Sequence, residues 1–104
     1  MNRTGHKGRT DGNHAEVIRA LRESGISAIS LASVGDGCGD VLAGYRGANF
    51  LLEVKDGGKV PSARVLSAAE RDFHATWSGQ VCVVTTSEEA IIAVTGAAKS
   101  LGLV

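Results

Sequence analysis

A single α/β domain is the fold this sequence of 104 residues predicts: a helix, three strands, a helix, a fourth strand and a C-terminal helix around a mixed four-stranded sheet. Three observations carry the prediction. Apolar residues recur at helical spacing after Asn13, after Ser67 and after Ser87, the pattern of helices buried along one stripe. Between them lie short runs rich in β-branched and aromatic residues, bounded by glycines, which read as strands. The order of these patterns places three strands in succession before a helical crossover to the fourth, so the sheet is mixed.

Composition bounds the answer. Eleven basic and eleven acidic residues cancel, so no global field points to nucleic acid and only a local basic patch remains open. A hydrophobic share of 43% with 21% charged residues is ordinary for a folded soluble domain and excludes wholesale disorder. Arg3, His6, Lys7 and Arg9 make residues 1–12 a flexible basic arm able to touch phosphates, and residues 13–104 form the domain. The basic start is followed by no apolar signal-peptide core, no run is long enough to span a membrane, and Cys38 with Cys82 suits a reducing cytosol.

The elements follow in order. Asn13–Ser24 is an amphipathic helix on Val17, Ile18 and Leu21; Asn13 and Glu16 have capping-box spacing, and Gly25 stops it. Ile26–Ser33 is the first strand, apolar on both faces and so expected to be covered on both. Glycines at 35, 37 and 39 lead to Asp40. That run lacks the Lys-Ser/Thr of a phosphate-binding P-loop and precedes a strand, so it suits a flexible approach to a phosphodiester better than nucleotide binding. Asp40–Lys55 is a hairpin reversing at Arg46-Gly47. A polar loop with Lys59, Pro61 and Arg64 follows, and Ser67 and Glu70 form a second capping box, with Leu66 as a staple, opening a helix through Phe73, His74 and Trp77. Gln80–Thr85 is a buried strand with Cys82 in the core, and Ser87 caps the last helix, whose first turn holds Glu88 and Glu89.

The chemistry concentrates on the hairpin. With Arg46-Gly47 as the turn, Tyr45 faces Ala48 and Asp40 falls opposite Glu53. Residues two apart share a face, so Glu53 and Lys55 project with Asp40, away from Phe50, Leu52 and Val54. Opposed carboxylates require a proton or a cation between them. Mg²⁺ needs few hard oxygen ligands, which Asp40, Glu53 and the Val54 carbonyl supply; Lys55 would hold the attacking water, and Glu16 would join through metal-bound water. The bland alternative is a solvated strand end with a surface ion pair. His6, His14 and His74 match no zinc spacing with the cysteines, and His14 and His74 read as helix-surface residues, with Trp77 a core or rim aromatic.

Gly39-Asp40 followed across a hairpin by Glu53-Val54-Lys55 resembles the PD-(D/E)XK nuclease superfamily. NHAEVIRAL from residue 13, SLASVGDGCGD from 30, VLAGYRG from 41, FLLEVKDG from 50 and LSAAERDFHATW from 66 extend the likeness to small phage-type VRR-NUC and Holliday-junction-resolvase-like endonucleases, over roughly residues 11–90. The resemblance implies a restriction-endonuclease-like αβββαβ core, here followed by a C-terminal helix, and Mg²⁺-dependent cleavage of DNA, with Mn²⁺ able to substitute. Carried over, Asp40 and Glu53 are metal ligands, Lys55 the catalytic lysine and Glu16 the first-helix acid. Arg9, Lys59 and Arg64 are the expected DNA contacts. Branched or junction DNA, a homodimer, and the cytosol of a bacterium or phage-infected host follow by the same analogy. Gly39 departs from the proline of the motif, and Glu70 stands where relatives often carry Gln. A non-catalytic DNA-binding or assembly module on the same fold is the alternative.

Overall fold

The computed structural model describes residues 12–35 and 37–103. Strands β1 (Ser27–Ser30), β2 (Val41–Tyr45), β3 (Ala48–Val54) and β4 (Gln80–Val84) form one four-stranded sheet in that spatial order. The first three run antiparallel, and β4 joins β3 in parallel. The hairpin register is the expected one, from Tyr45 opposite Ala48 to Val41 opposite Leu52. Arg46 and Gly47 both take positive φ, 53° and 85°, the requirement of a turn whose twist matches a hairpin.

Alternation along the strands separates two faces. Val41, Ala43, Phe50, Leu52 and Val54 point to one side and are buried there. Helices α1 (His14–Glu23) and α3 (Ser87–Ser100) cover that side with Val17 and Leu21 from one, Ala90, Val94 and Ala98 from the other. The small residues of α3 let its backbone lie close to the sheet. Leu52 has no exposed surface at the centre of this layer, so Leu52→Ala is expected to cost about 2–5 kcal/mol, read as a lowered denaturation midpoint. A loss below about 1 kcal/mol would contradict a helix layer closed over Leu52.

Over part of the second face lies α2 (Ala68–Thr76), which follows a 3-10 turn at Pro61–Arg64 and buries no residue completely. Its capping box is formed: Ser67 Oγ accepts from the Glu70 N–H at 3.1 Å, and Glu70 Oε1 accepts from the Ser67 N–H at 2.8 Å. The staple is absent because the position facing Leu66 is Arg71, which donates to the Leu66 carbonyl at 3.1 Å. Three other expectations are corrected. Asn13 makes no side-chain cap, because its amide crosses to the carbonyls of Thr85 at 3.0 Å and Lys55 at 3.4 Å. Thr86, not Ser87, caps α3, accepting from the Glu89 N–H at 3.0 Å. Lying at the sheet edges, β1 and β4 are covered less completely than their apolar sequences suggest: Ile29 is 52% exposed and, on β4, only Val84 is fully buried. Cys82 packs against the core at its margin, and burial pushes its thiol pKa up. No helix among the described residues is long and apolar enough to cross a membrane.

Candidate active site

Backbone geometry at Gly39 starts the site. Its φ of +100° is open to glycine, and a Cβ there would lie 3.1 Å from the Leu52 carbonyl oxygen. The chain therefore turns tightly past β3 before β2 begins. Regular pairing stops at Val41–Leu52, and Asp40 is held off the ladder by three contacts. Its N–H donates to the Leu52 carbonyl at 2.8 Å, its carbonyl accepts from the Leu31 N–H at 2.7 Å, and its Oδ2 accepts from the Val54 N–H at 2.8 Å. The carboxylate stands in for a strand partner that Val54 lacks on this side. The departure from the motif's proline has the same origin: proline is locked near a φ of −65° and cannot adopt this backbone. Gly39→Pro is expected to destabilise the fold by more than about 1 kcal/mol in chemical denaturation. Unchanged stability would contradict this backbone path.

Glu53 follows on β3 with only 3% of its surface exposed. Burial pushes its pKa up to about 9, helped by the charge of Asp40 and a hydrogen bond with it, then by Glu70. Lys55 lies 3.6 Å from Glu53 Oε2 but only 3.0 Å from Glu70 Oε1. The ammonium is thus committed more closely to Glu70, and it does not offset the desolvation and like charge that favour a neutral Glu53. Burial acts on Glu70 in the raising direction too, but the Ser67 N–H and the Lys55 contact outweigh it and hold Glu70 below the ordinary carboxylate range. Burial beside Asp40 thus favours the protonated form of Glu53, while Lys55 and the Ser67 N–H favour the ionised form of Glu70.

Opposed carboxylates in this environment call for a proton or a cation between them. Among the described residues no three His, Cys, Asp or Glu side chains converge as a metal-binding group, which rules against a closed zinc-type site there. A hard divalent ion that keeps most of its waters needs only the two carboxylates of Asp40 and Glu53. In an extended strand the N–H and C=O of one residue point to the same side, so the Val54 carbonyl shares the side on which its N–H meets Asp40. The donor chemistry therefore fits Mg²⁺, with displacement of the Glu53 proton as its cost.

The remaining expected site residues are dispersed. Glu16 is exposed on α1 and lines a separate groove with Asp56, Gly57 and Glu88. The structure does not bring it onto Glu53, whose acidic neighbours are Asp40 and Glu70. The reason is that α1 packs on the core face of the sheet, while Glu53 points to the α2 face. Lys59 is exposed beyond Gly58, and Arg64 is half-buried at the end of the 3-10 turn, close enough to Glu89 to help lower its pKa after the stronger Thr85 hydrogen bonds. Arg9 lies outside the described residues, as does the arm through residue 11. His14 is buried and not a helix-surface residue, with Nε2 3.0 Å from Ser30 Oγ. His74 is half-buried on α2. The capping-box signal located Glu70, but nothing local revealed that its Oε1 serves both the Ser67 N–H and Lys55.

Fold and site together define a mixed α/β protein carrying an acid–lysine cluster at the open end of a hairpin. No family model matches the chain, and neither does any characterised protein or solved structure.

Proposed function

We propose that this chain is a Mg²⁺-dependent DNA endonuclease of the PD-(D/E)XK type, hydrolysing phosphodiester bonds with Asp40, Glu53 and Lys55. The observation that carries the reading is the convergence of a buried Glu53 with Asp40 and Lys55 at the open end of the hairpin, where burial first and Asp40 second push the Glu53 pKa up. Acids perturbed by desolvation together with a specific charged partner cluster at functional sites. Asp40 and Glu53 would hold the ion, which when bound would supply charge neutralisation at the phosphoryl oxygens. Lys55 orients the attacking water and stabilises the same charge, and Glu70 positions Lys55 through the contact at 3.0 Å. The helix and strand order is compatible with that superfamily's core, and the φ at Gly39 accounts for the missing motif proline. Glu16 stands outside this assignment.

Purified protein should cut DNA only with Mg²⁺ or Mn²⁺ added, compared across linear duplex, single strand, flap and four-way junction. Chelator-resistant cutting, or no cutting of any of these, would count against the proposal. A homodimer acting on junctions and a cytosolic site of action belong to the same proposal. Sedimentation with and without junction DNA tests the dimer, for which a monomer in both conditions is the adverse result.

A second reading is favoured by the commitment of Lys55 to Glu70 and by the two-carboxylate donor set. In that case the domain is a non-catalytic DNA-binding or assembly module. It predicts DNA binding that weakens steeply with salt and gains no turnover from metal.

A further inference from the structure

Beside the acid–lysine cluster, on the same face of the sheet, lies a cavity of about 450 Å³ with Leu42 and Leu51 as its floor and Phe73 and Trp77 as one wall. Leu42 and Leu51 are partners in the hairpin, each two residues from Asp40 and Glu53 respectively. Two strand residues span about 7 Å, so this rung is the next one on the acid face. The helix repeats the alignment: Glu70 and Phe73 on α2 and Trp77 at its C-cap follow one another at spacings of three and four residues, placing Glu70 beside the acids and the aromatics against the leucines. Phe73 and Trp77 stack with centroids 4.8 Å apart and planes inclined by 17°. Trp77 is nevertheless 48% exposed. Asn49, on the same strand face as Leu51, adds a side-chain amide at the rim.

We propose that this cavity receives an unstacked nucleobase from a DNA strand whose neighbouring phosphate lies at Asp40 and Glu53. The position of that phosphate rests on the nuclease reading. The lining fits that occupant: an apolar floor and aromatic wall suit the faces of a base, and the Asn49 amide offers a donor and an acceptor to its edge. The phosphate site and the base site are separated by about one strand rung pair, comparable to the sugar that links a base to its phosphate. A base inside an intact duplex cannot enter without leaving its stack. The substrate class is therefore DNA with an unpaired segment, as in a single strand, flap or junction, and not blunt duplex.

Trp77 is the only tryptophan in the chain, so its emission reports this cavity directly. The full chain is titrated in EDTA with a short oligothymidylate, with the same oligonucleotide made abasic, and with blunt duplex of equal length. Quenching by the oligothymidylate, little by the duplex and none by the abasic strand is the expected result. Phe73→Ala should weaken oligothymidylate binding about tenfold. Asn49→Ala, at an exposed strand position that folding tolerates, should weaken it several-fold. Equal quenching by the abasic strand would overturn the proposal, as would emission that changes with protein concentration and not with DNA, which would assign the groove to a second copy of the chain. No hydrolysis enters this readout. Cleavage without base-dependent quenching defeats the cavity assignment alone, and base-dependent quenching in a chain that never cleaves defeats the hydrolytic reading alone.

Discussion

Glu53→Gln should reduce metal-dependent DNA cleavage by about 10²–10³-fold or more, the scale of losing one preorganised electrostatic group, while leaving the fold more stable at neutral pH. The two effects have one cause. Glu53 is buried beside Asp40 and Glu70, and its ionised form is disfavoured there. Glutamine has nearly the shape of the protonated acid and carries no charge to desolvate, but it cannot bind a hard cation as a carboxylate does. A parallel fall in activity and stability would instead mark Glu53 as a structural group. Full activity in the variant would remove it from the mechanism. The measurement is cleavage rate in Mg²⁺ together with the thermal midpoint in chelator, on the same preparations.

In chelator, the stability of the unsubstituted protein should fall as the pH rises from about 4.5 toward 9, the ordinary and shifted pKa values of Glu53. A carboxyl whose pKa is raised on folding gives its full contribution while it is protonated in both states. That contribution is lost progressively as the unfolded chain ionises and the folded one does not. At 1.36 kcal/mol per unit, the loss reaches about 3 kcal/mol by pH 7. Glu70 acts in the opposite sense: its lowered pKa contributes stability that is present above the ordinary carboxylate range and is lost on acidification. Maximum stability in chelator is therefore expected near pH 5. Glu53→Gln should flatten the alkaline slope, and Mg²⁺ should raise the midpoint more at about pH 8 than at about pH 5, because the ion competes with a proton. A pH-independent midpoint above about pH 5, or an equal Mg²⁺ effect at both values, would show that Glu53 is not the proton-holding ligand.

Much of the geometry behind these expectations is visible in the chain itself. Arg46-Gly47 with flanking alternation specified the hairpin register, and that register brings Asp40 and Glu53 to the same end. The Ser67–Glu70 capping box and the helical stripes were equally legible. Such features depend on residues a few positions apart, where turn conformation, capping and strand alternation act before any tertiary contact. The limits of local reading appear at the same places. Asn13 has ideal capping-box spacing to Glu16, yet its amide is drawn to Lys55 and Thr85, which are remote in sequence. Strand β1 carries apolar residues on both faces, but nothing in its composition says that it ends at an edge with Ile29 exposed.

By itself the sequence determined the succession of elements, the hairpin turn and the shared face of Asp40, Glu53 and Lys55. Tertiary structure alone decided which side of the sheet each helix would cover. That choice left Glu16 in another groove, brought Glu70 to Lys55 and buried Glu53 beside Asp40, which pushes its pKa up. Pairing and periodicity are local and follow from backbone geometry, whereas desolvation and charge coupling depend on what other segments pack overhead. At the end of the hairpin those long-range terms turn two acids and a lysine into a coupled cluster.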